Sequence, residues 1–338
     1  MRRLLVLIMV LAVGSAGGTV FAQTEIPGLE DFESGFSGFT DEFTSSLPMN
    51  SMIGLNWSDA YVGQLLPFPS FGVGITAGAT TIPLSVFEDL SSDLVGTDGS
   101  GGDLGDLPSL GIPLPGYAFD ARVGGVILPF DVGLKFGTIG DMKVGDVEAE
   151  YTNFGFDVRY AVLDGGLVFP KLSVGVGYNY LSGRIVTPLG FGQTEIGSVT
   201  YGENGSATVL LSDPKLDFDW TANVFDVKAQ VSKSFLIVEP HFGLGAAFGT
   251  AETNTGLTAS VTAEDENGQD ISLDQLESVA GVTIGEQGIS LGSDVSTFSL
   301  RAFGGASLNL VVFRLDLGVM YNITSGALGG TLGARFQI

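Results

Sequence analysis

Cysteine is missing from all 338 residues, so the chain has no disulfide framework and no thiolate metal site. After residue 23 no apolar run is long enough to form a membrane helix. Bases are scarce: 14 Lys and Arg face 38 Asp and Glu, a formal charge of −24 that excludes nucleic acid as a partner. The chain has one histidine, His241, so any chemistry built on a histidine pair is excluded. Charged residues of both signs make up only 15%, where a soluble globular chain carries about a quarter. What the chain has in their place is 51 glycines and a positive mean hydropathy. Apolar character is therefore spread over alternating positions, as in a closed sheet whose every second side chain faces lipid.

Arg2 and Arg3 precede a short apolar stretch, Leu4 to Val13, and Val20-Phe21-Ala22 has the small-x-small pattern of a cleavage site before Gln23. Residues 1–22 read as a signal peptide. Cleavage removes two bases and no acid, so the formal charge becomes 12 − 38 = −26.

A period of two recurs along the rest of the chain. Leu328, Gly330, Leu332, Ala334, Phe336 and Ile338 share one face against Thr331, Gly333, Arg335 and Gln337. The same alternation places Phe313, Leu315, Leu317 and Val319 opposite Arg314, Asp316 and Gly318, and Phe154, Phe156, Val158 and Tyr160 opposite Gly155, Asp157 and Arg159. One stretch breaks step: Phe218, Trp220 and Ala222 lie on even positions, but Phe225, Val227, Ala229 and Val231 on odd ones. A β-bulge near Asn223 to Val224 is expected there.

Tight connections are expected near Pro129, Gly165-Gly166, Ser232 to Ser234 and Asn309 to Leu310, and long acidic extracellular loops over 81–116, 183–214 and 250–293. Counting turns predicts an all-β fold, a transmembrane antiparallel up-and-down β-barrel of about ten strands. A strand at Met52 to Val62 would raise the count to twelve, and hairpins hidden in the long loops to fourteen. The domains expected are a signal peptide (1–22), an N-terminal periplasmic or plug segment (23–68) and the barrel (69–338).

The last strand resembles the C-terminal strand of Gram-negative-type outer-membrane β-barrel proteins. That resemblance implies outer-membrane lipid and the barrel-assembly machinery as partners, with Phe336 and Ile338 as the assembly signal. The terminal residue in such proteins is usually aromatic; here it is Ile. The location implied is the outer membrane of a diderm bacterium.

Eight of the twelve remaining bases fall on the predicted lumen face: Arg122, Lys135, Arg159, Lys171, Lys228, Arg301, Arg314 and Arg335. Asp120, Asp131, Asp157, Asp226, Glu239 and Asp316 share it, with His241. Unpaired charge in a narrow bore is costly, so these residues are expected to form a cross-strand network, either structural or acting as a selectivity filter. Many lumen positions are glycine, which leaves room for water, a small apolar ligand or a piece of the chain. A candidate occupant precedes the barrel: Leu29, Phe32, Phe36, Phe39, Phe43 and Leu47 recur at helical spacing. It reads either as a plug or as a disordered tether. Asn56-Trp57-Ser58-Asp59-Ala60-Tyr61, followed by a Gly-rich strand, resembles spirochaete barrels of the long-chain fatty-acid-transporter type over about 30 residues, without that family's Asn-Pro-Ala hatch motif.

Chemistry has little to work with. His241 sits beside Glu239 just after a predicted periplasmic turn, the wrong end for an external active site, and no phosphate loop, metal-ligand cluster or nucleophile elbow occurs. No enzyme, cofactor or metal is expected. The functional expectation is a small channel or uptake route for a hydrophobic or small solute, with a closed-lumen structural or surface-interaction protein as the alternative.

Overall fold

A computed structural model describes residues 29–63, 70–82, 112–125, 129–144, 147–166, 168–188, 194–201, 205–265, 269–271 and 289–338. The expected signal peptide and most of loop 81–116 lie outside these residues. Among the described residues one helix, α1 (Leu29–Ser51), precedes twelve strands. They are β1 (Ser70–Ile82), β2 (Ile112–Gly124), β3 (Phe130–Val144), β4 (Val147–Asp164), β5 (Lys171–Pro188) and β6 (Thr194–Tyr201), followed by β7 (Gly205–Ser232), β8 (Val238–Asp265), β9 (Asp270–Ile271), β10 (Ile289–Leu310), β11 (Phe313–Asn322) and β12 (Leu328–Gln337).

All described pairings are antiparallel, and the sheet closes because β12 pairs with β1 and β7 with β8. The closed ring has ten strands, with β6 and β9 attached outside it as short additions to β7 and β8. Met52 to Val62 is not a strand, so it adds none to the ring; it lies inside it.

Three expectations need correction. The register of β7 against β5 runs unbroken from Lys215 to Ser232, so there is no bulge at Asn223 to Val224. Phe218, Trp220, Ala222 and Val224 all point inward and are buried, because the bore at that level is apolar. The pattern changes face because the interior changes character along its axis. The described residues of 183–214 and 250–293 are almost all strand: β7 and β8 are 28 residues long, where crossing a bilayer takes about 9–11. The sheet thus rises far past the membrane on the β5, β7, β8 and β10 side, while β11 and β12 have only 10 residues each. Finally, one tight connection falls outside the expected four. Only residues 145 and 146 separate β3 from β4, at the same end as the long loops.

The polarity of the barrel is inverted relative to a soluble protein. Its outer face exposes Phe119, Leu134, Phe136, Phe156, Phe225, Phe242, Leu244, Phe248, Phe298, Leu317 and Val319, whereas Arg122, Lys135, Arg159, Arg301 and Glu239 are fully buried inside. Only a lipid surround makes such an arrangement favourable, since exposed apolar area on this scale is unfavourable in water. No helix among the described residues is long and apolar enough to cross a membrane.

This arrangement predicts position-dependent effects of charge. Val227→Lys, in the outward belt, should destabilise the barrel by about 2–4 kcal/mol when it is refolded from urea into vesicles, whereas Glu252→Lys, on the outward face beyond the belt, should cost about 0–1 kcal/mol. Equal costs at the two positions would contradict the placement of the belt.

Candidate functional site: the filled bore

The interior is occupied by the chain itself. From Thr40 to Val62 nearly every side chain is buried, and the segment runs from the long-loop end, where Phe43 meets Phe218, to the tight-turn end, where Val62 meets Asp131. Its two halves are held by different physics.

The upper half is apolar. The Phe43 ring lies edge-on to Phe218 at 4.5 Å and to Trp220 at 5.5 Å. Leu47, Met49, Met52 and Ile53 pack among Leu114, Leu181, Val224, Ala247, Phe303 and Met320. Two polar ties fix the helix: the Thr44 and Thr253 hydroxyls are hydrogen-bonded at 2.8 Å, and Asn50 donates to the Leu114 carbonyl at 2.8 Å. Phe43 and Leu47 are therefore inside the bore; the side chains of Leu29, Phe32, Phe36 and Phe39 lie outside the described residues.

The lower half is ionic, with Asp59 at its centre. This carboxylate lies 3.2 Å from Lys171, 2.7 Å from Arg314 and 3.0 Å from Arg335, and the Asp59 backbone carbonyl accepts from Arg159 at 2.7 Å. Those bases belong to β4, β5, β11 and β12, strand pairs on opposite sides of the ring. One carboxylate thus ties the two walls together. Trp57 adds a second anchor: its indole donates to Asp120 at 2.9 Å, and its ring lies 4.5 Å from the Arg335 guanidinium and 5.6 Å from that of Arg122. The Trp57 carbonyl accepts from Gln230 at 2.7 Å, Ala60 donates its amide to Ser232 at 3.0 Å, and Val62 donates its amide to Asp131 at 2.8 Å.

All fifteen wall residues expected in the lumen face it, and they are not equivalent. Asp131 bridges Arg122 and Arg159, Asp157 bridges Arg122 and Lys228, and Asp226 pairs with Arg301. Glu239 meets Lys171 at 3.8 Å and Arg314 at 3.3 Å, and Asp316 meets Arg335 at 3.0 Å. Asp120, Lys135 and His241 form no ion pair among the described residues. Asp120 is committed to Trp57 and Thr76, and the Lys135 ammonium donates to the backbone carbonyls of Ser51 and Ile53. His241 borders a cavity of about 20 Å³ next to Trp57, which also meets Asn56, Thr76, Asp316 and Thr331. That is room for about one water molecule.

Sequence reasoning missed Asp59, Trp57, Ser58 and Gln230 as interior residues. The available signal was an imbalance: eight bases and six acids on the predicted lumen face call for a further anion, and no basic residue lies near Asp59 in sequence. Glycines mark where the segment touches the wall. A Cβ on Gly72 would come within 2.8 Å of the Trp57 ring, and one on Gly124 would overlap the Val62 carbonyl.

Outside the belt the electrostatics are ordinary. Lys143 lies 2.6 Å from Glu148, and this hydrogen bond lowers the Glu148 carboxyl and raises the Lys143 ammonium relative to their usual values. Among the described residues no group of three or more His, Cys, Asp or Glu is placed to hold a metal ion. Two hollows of about 630 and 740 Å³ lie on the lipid-facing side of the wall, among residues such as Phe130, Val176 and Leu244 or Val73, Phe119 and Phe154.

No family model matches the sequence, and no curated protein matches it. Solved structures similar to the chain include Ail, the attachment invasion locus protein of Yersinia pestis, at 13% identity, covering 80% of this chain and 97% of that one with a TM-score of 0.26. A major outer membrane protein from Thermus thermophilus is 12% identical over 80% of this chain and all of that chain, with a TM-score of 0.29. The Ralstonia pickettii toluene transporter TbuX is 11% identical over 87% and 92%, with a TM-score of 0.23. The chain is a β-barrel of the outer-membrane type. The inverted polarity and the closure of the ring carry that statement.

Removing the central carboxylate should be costly. Asp59→Ala takes one anion from Arg314, Arg335 and Lys171, leaving three bases against Glu239 and Asp316, and is expected to destabilise the barrel by about 3–5 kcal/mol in urea titrations in vesicles. Combining Asp59→Ala with Arg314→Met should recover part of that loss, because two bases then face two acids. A loss under about 1 kcal/mol for Asp59→Ala would mean that the segment does not hold the walls.

Proposed function

We propose that the barrel is a gated uptake route for a hydrophobic or small solute, closed in its resting state by its own segment Thr40–Val62. The observation that carries this reading is the division of the bore. The half facing the long loops is lined by Phe218, Trp220, Leu114, Leu181 and Met320 and filled by a non-covalently held helix, whereas the other half is locked by charge. An apolar compartment opening toward the exterior suits a hydrophobic solute better than an ion. Glycines at the wall widen the bore beyond what its side chains fill, so closure depends on a separable piece of chain. In this reading residues 1–22 are a leader for export to the outer membrane of a diderm bacterium, 23–68 are the N-terminal segment that carries the stopper and 69–338 the barrel. Phe336 and Ile338 address the chain to the assembly machinery, and the fifteen charged and polar wall residues brace the stopper rather than select ions.

A second reading is favoured by the Asp59 network: a barrel permanently closed and used as a surface scaffold, because withdrawing the lower segment would take one anion from Lys171, Arg314 and Arg335 at once.

A cysteine-free chain allows a clean test. Thr44→Cys with Thr253→Cys would tie α1 to β8 through a reducible bond at a place where the native hydroxyls are 2.8 Å apart. In planar bilayers the reduced protein should show transient conductance that oxidation abolishes and reductant restores. Silence of the reduced protein, together with silence of a variant lacking residues 24–49, would overturn the uptake reading and leave the scaffold.

A further inference from the structure

The two ends of the outer wall differ. At the long-loop end the outward positions turn charged above the aromatic residues: Glu148, Arg184 and Asp217 lie two to four strand repeats beyond Phe154, Tyr180 and Phe225. At the tight-turn end apolar side chains reach the tips of three turns among the described residues. Val168 and Phe169 between β4 and β5, Phe235 and Leu236 between β7 and β8, and Leu310 and Val311 at the β10–β11 turn are all more than half exposed, with Leu236 at 100% and Val311 at 97%. They adjoin the apolar belt, beyond Leu163, Asp164 and two glycines in the β4–β5 turn and between Leu308 and Phe313 in the β10–β11 turn.

The backbone adds an independent observation. Leu236 has φ of 53° and Val311 of 61°, the left-handed region that turns usually fill with Gly, Asn or Asp. A β-branched residue there is a conflict between local preference and structure, and such conflicts persist where something outside the turn compensates them. Polar residues would serve both turns better in water. The charged neighbours do not dilute the surface much: the Lys233 ammonium donates to the carbonyls of Gly166 at 2.6 Å and Phe169 at 3.1 Å, bracing one turn against the next, and Asp164 sits at the end of β4.

We propose that this rim is a lipid-anchoring surface: the tight turns are immersed in the adjoining membrane leaflet, with Val168, Leu236 and Val311 in contact with phospholipid at or below the boundary between headgroups and acyl chains. Continuity with the belt identifies lipid as the occupant, since the same leaflet already covers the wall immediately above. The three turns join six adjacent strands, so their apolar tips line an arc of more than half the ring, wider than the localised footprint of a small protein and matched to a planar bilayer. The rim would then set how deep the barrel sits, and would place the lower mouth of the bore, with Lys171 and Arg314, at the level of the headgroups. This inference does not depend on whether the bore opens.

The test uses full-length protein carrying single substitutions Val168→Cys, Leu236→Cys or Val311→Cys, each labelled with an environment-sensitive fluorophore and refolded into phosphatidylcholine vesicles, with labelled Lys143→Cys as the exposed reference. The rim labels are expected to emit to the blue of the reference, to be quenched by phosphatidylcholine brominated on its acyl chains, and to be several-fold less sensitive to aqueous iodide. The double variant Leu236→Asn, Val311→Asn relieves the left-handed strain, so it should fold; in it the label at Val168→Cys should become more accessible to iodide. Rim labels as sensitive to iodide as the reference, in a barrel that has folded, would overturn the proposal and point to a soluble protein as the cover for these turns.

Discussion

A charge buried in the bore of a barrel must be answered from the wall, and Asp59 is answered from both sides at once. Its contacts with Lys171, Arg314 and Arg335, and the Arg159 bond to its carbonyl, link β4 and β5 to β11 and β12. A closed ten-stranded sheet has satisfied its own backbone hydrogen bonds, so nothing in the ladder requires the bore to be filled. Filling is required by the side chains: the wall carries more bases than acids, and Asp59 supplies a further anion. The lower segment belongs to the barrel electrostatically even though no covalent bond or strand pairing joins them.

That interaction sets what the upper half can be. With the lower segment held, α1 must rise along the axis toward the long loops, against the tall wall of β7, β8 and β10. At that height the surroundings are no longer lipid, and the strands reverse their usual economy: Phe218, Trp220, Ala222 and Val224 turn inward to meet Phe43, while Asp217 and Asp219 face outward. The interior is a polar lock below and an apolar chamber above. Any movement of the stopper belongs to the apolar part, where contacts are non-directional and can be exchanged for a ligand of similar character.

The barrel was legible in the sequence because a two-residue period and a lipid surround leave few choices. Alternation in stretches such as Phe154 to Tyr160 or Phe313 to Val319 specifies both the strand and its inward face, and turn counting led to ten strands. The inward position of Arg122, Arg159 and Arg335 follows from the same parity. What parity cannot supply is the identity of the occupant. Asp59 and Trp57 lie in a stretch with no regular period, and their partners are about 60 to 280 residues away in sequence. The face change within β7 looked like a bulge because an even inner face was assumed along the whole axis. The long acidic stretches looked like loops because no regular apolar alternation marks them.

Amide hydrogen exchange on the folded protein in lipid tests the central claim most directly, because it reports on the segment without altering any residue. If Thr40–Val62 and the wall form one unit, the amides of residues 54–62 should exchange as slowly as those of β4 and β12, and those of α1 from Thr40 onward should be intermediate. Exchange of residues 54–62 at the rate of an unstructured peptide, with the strands protected, would contradict it.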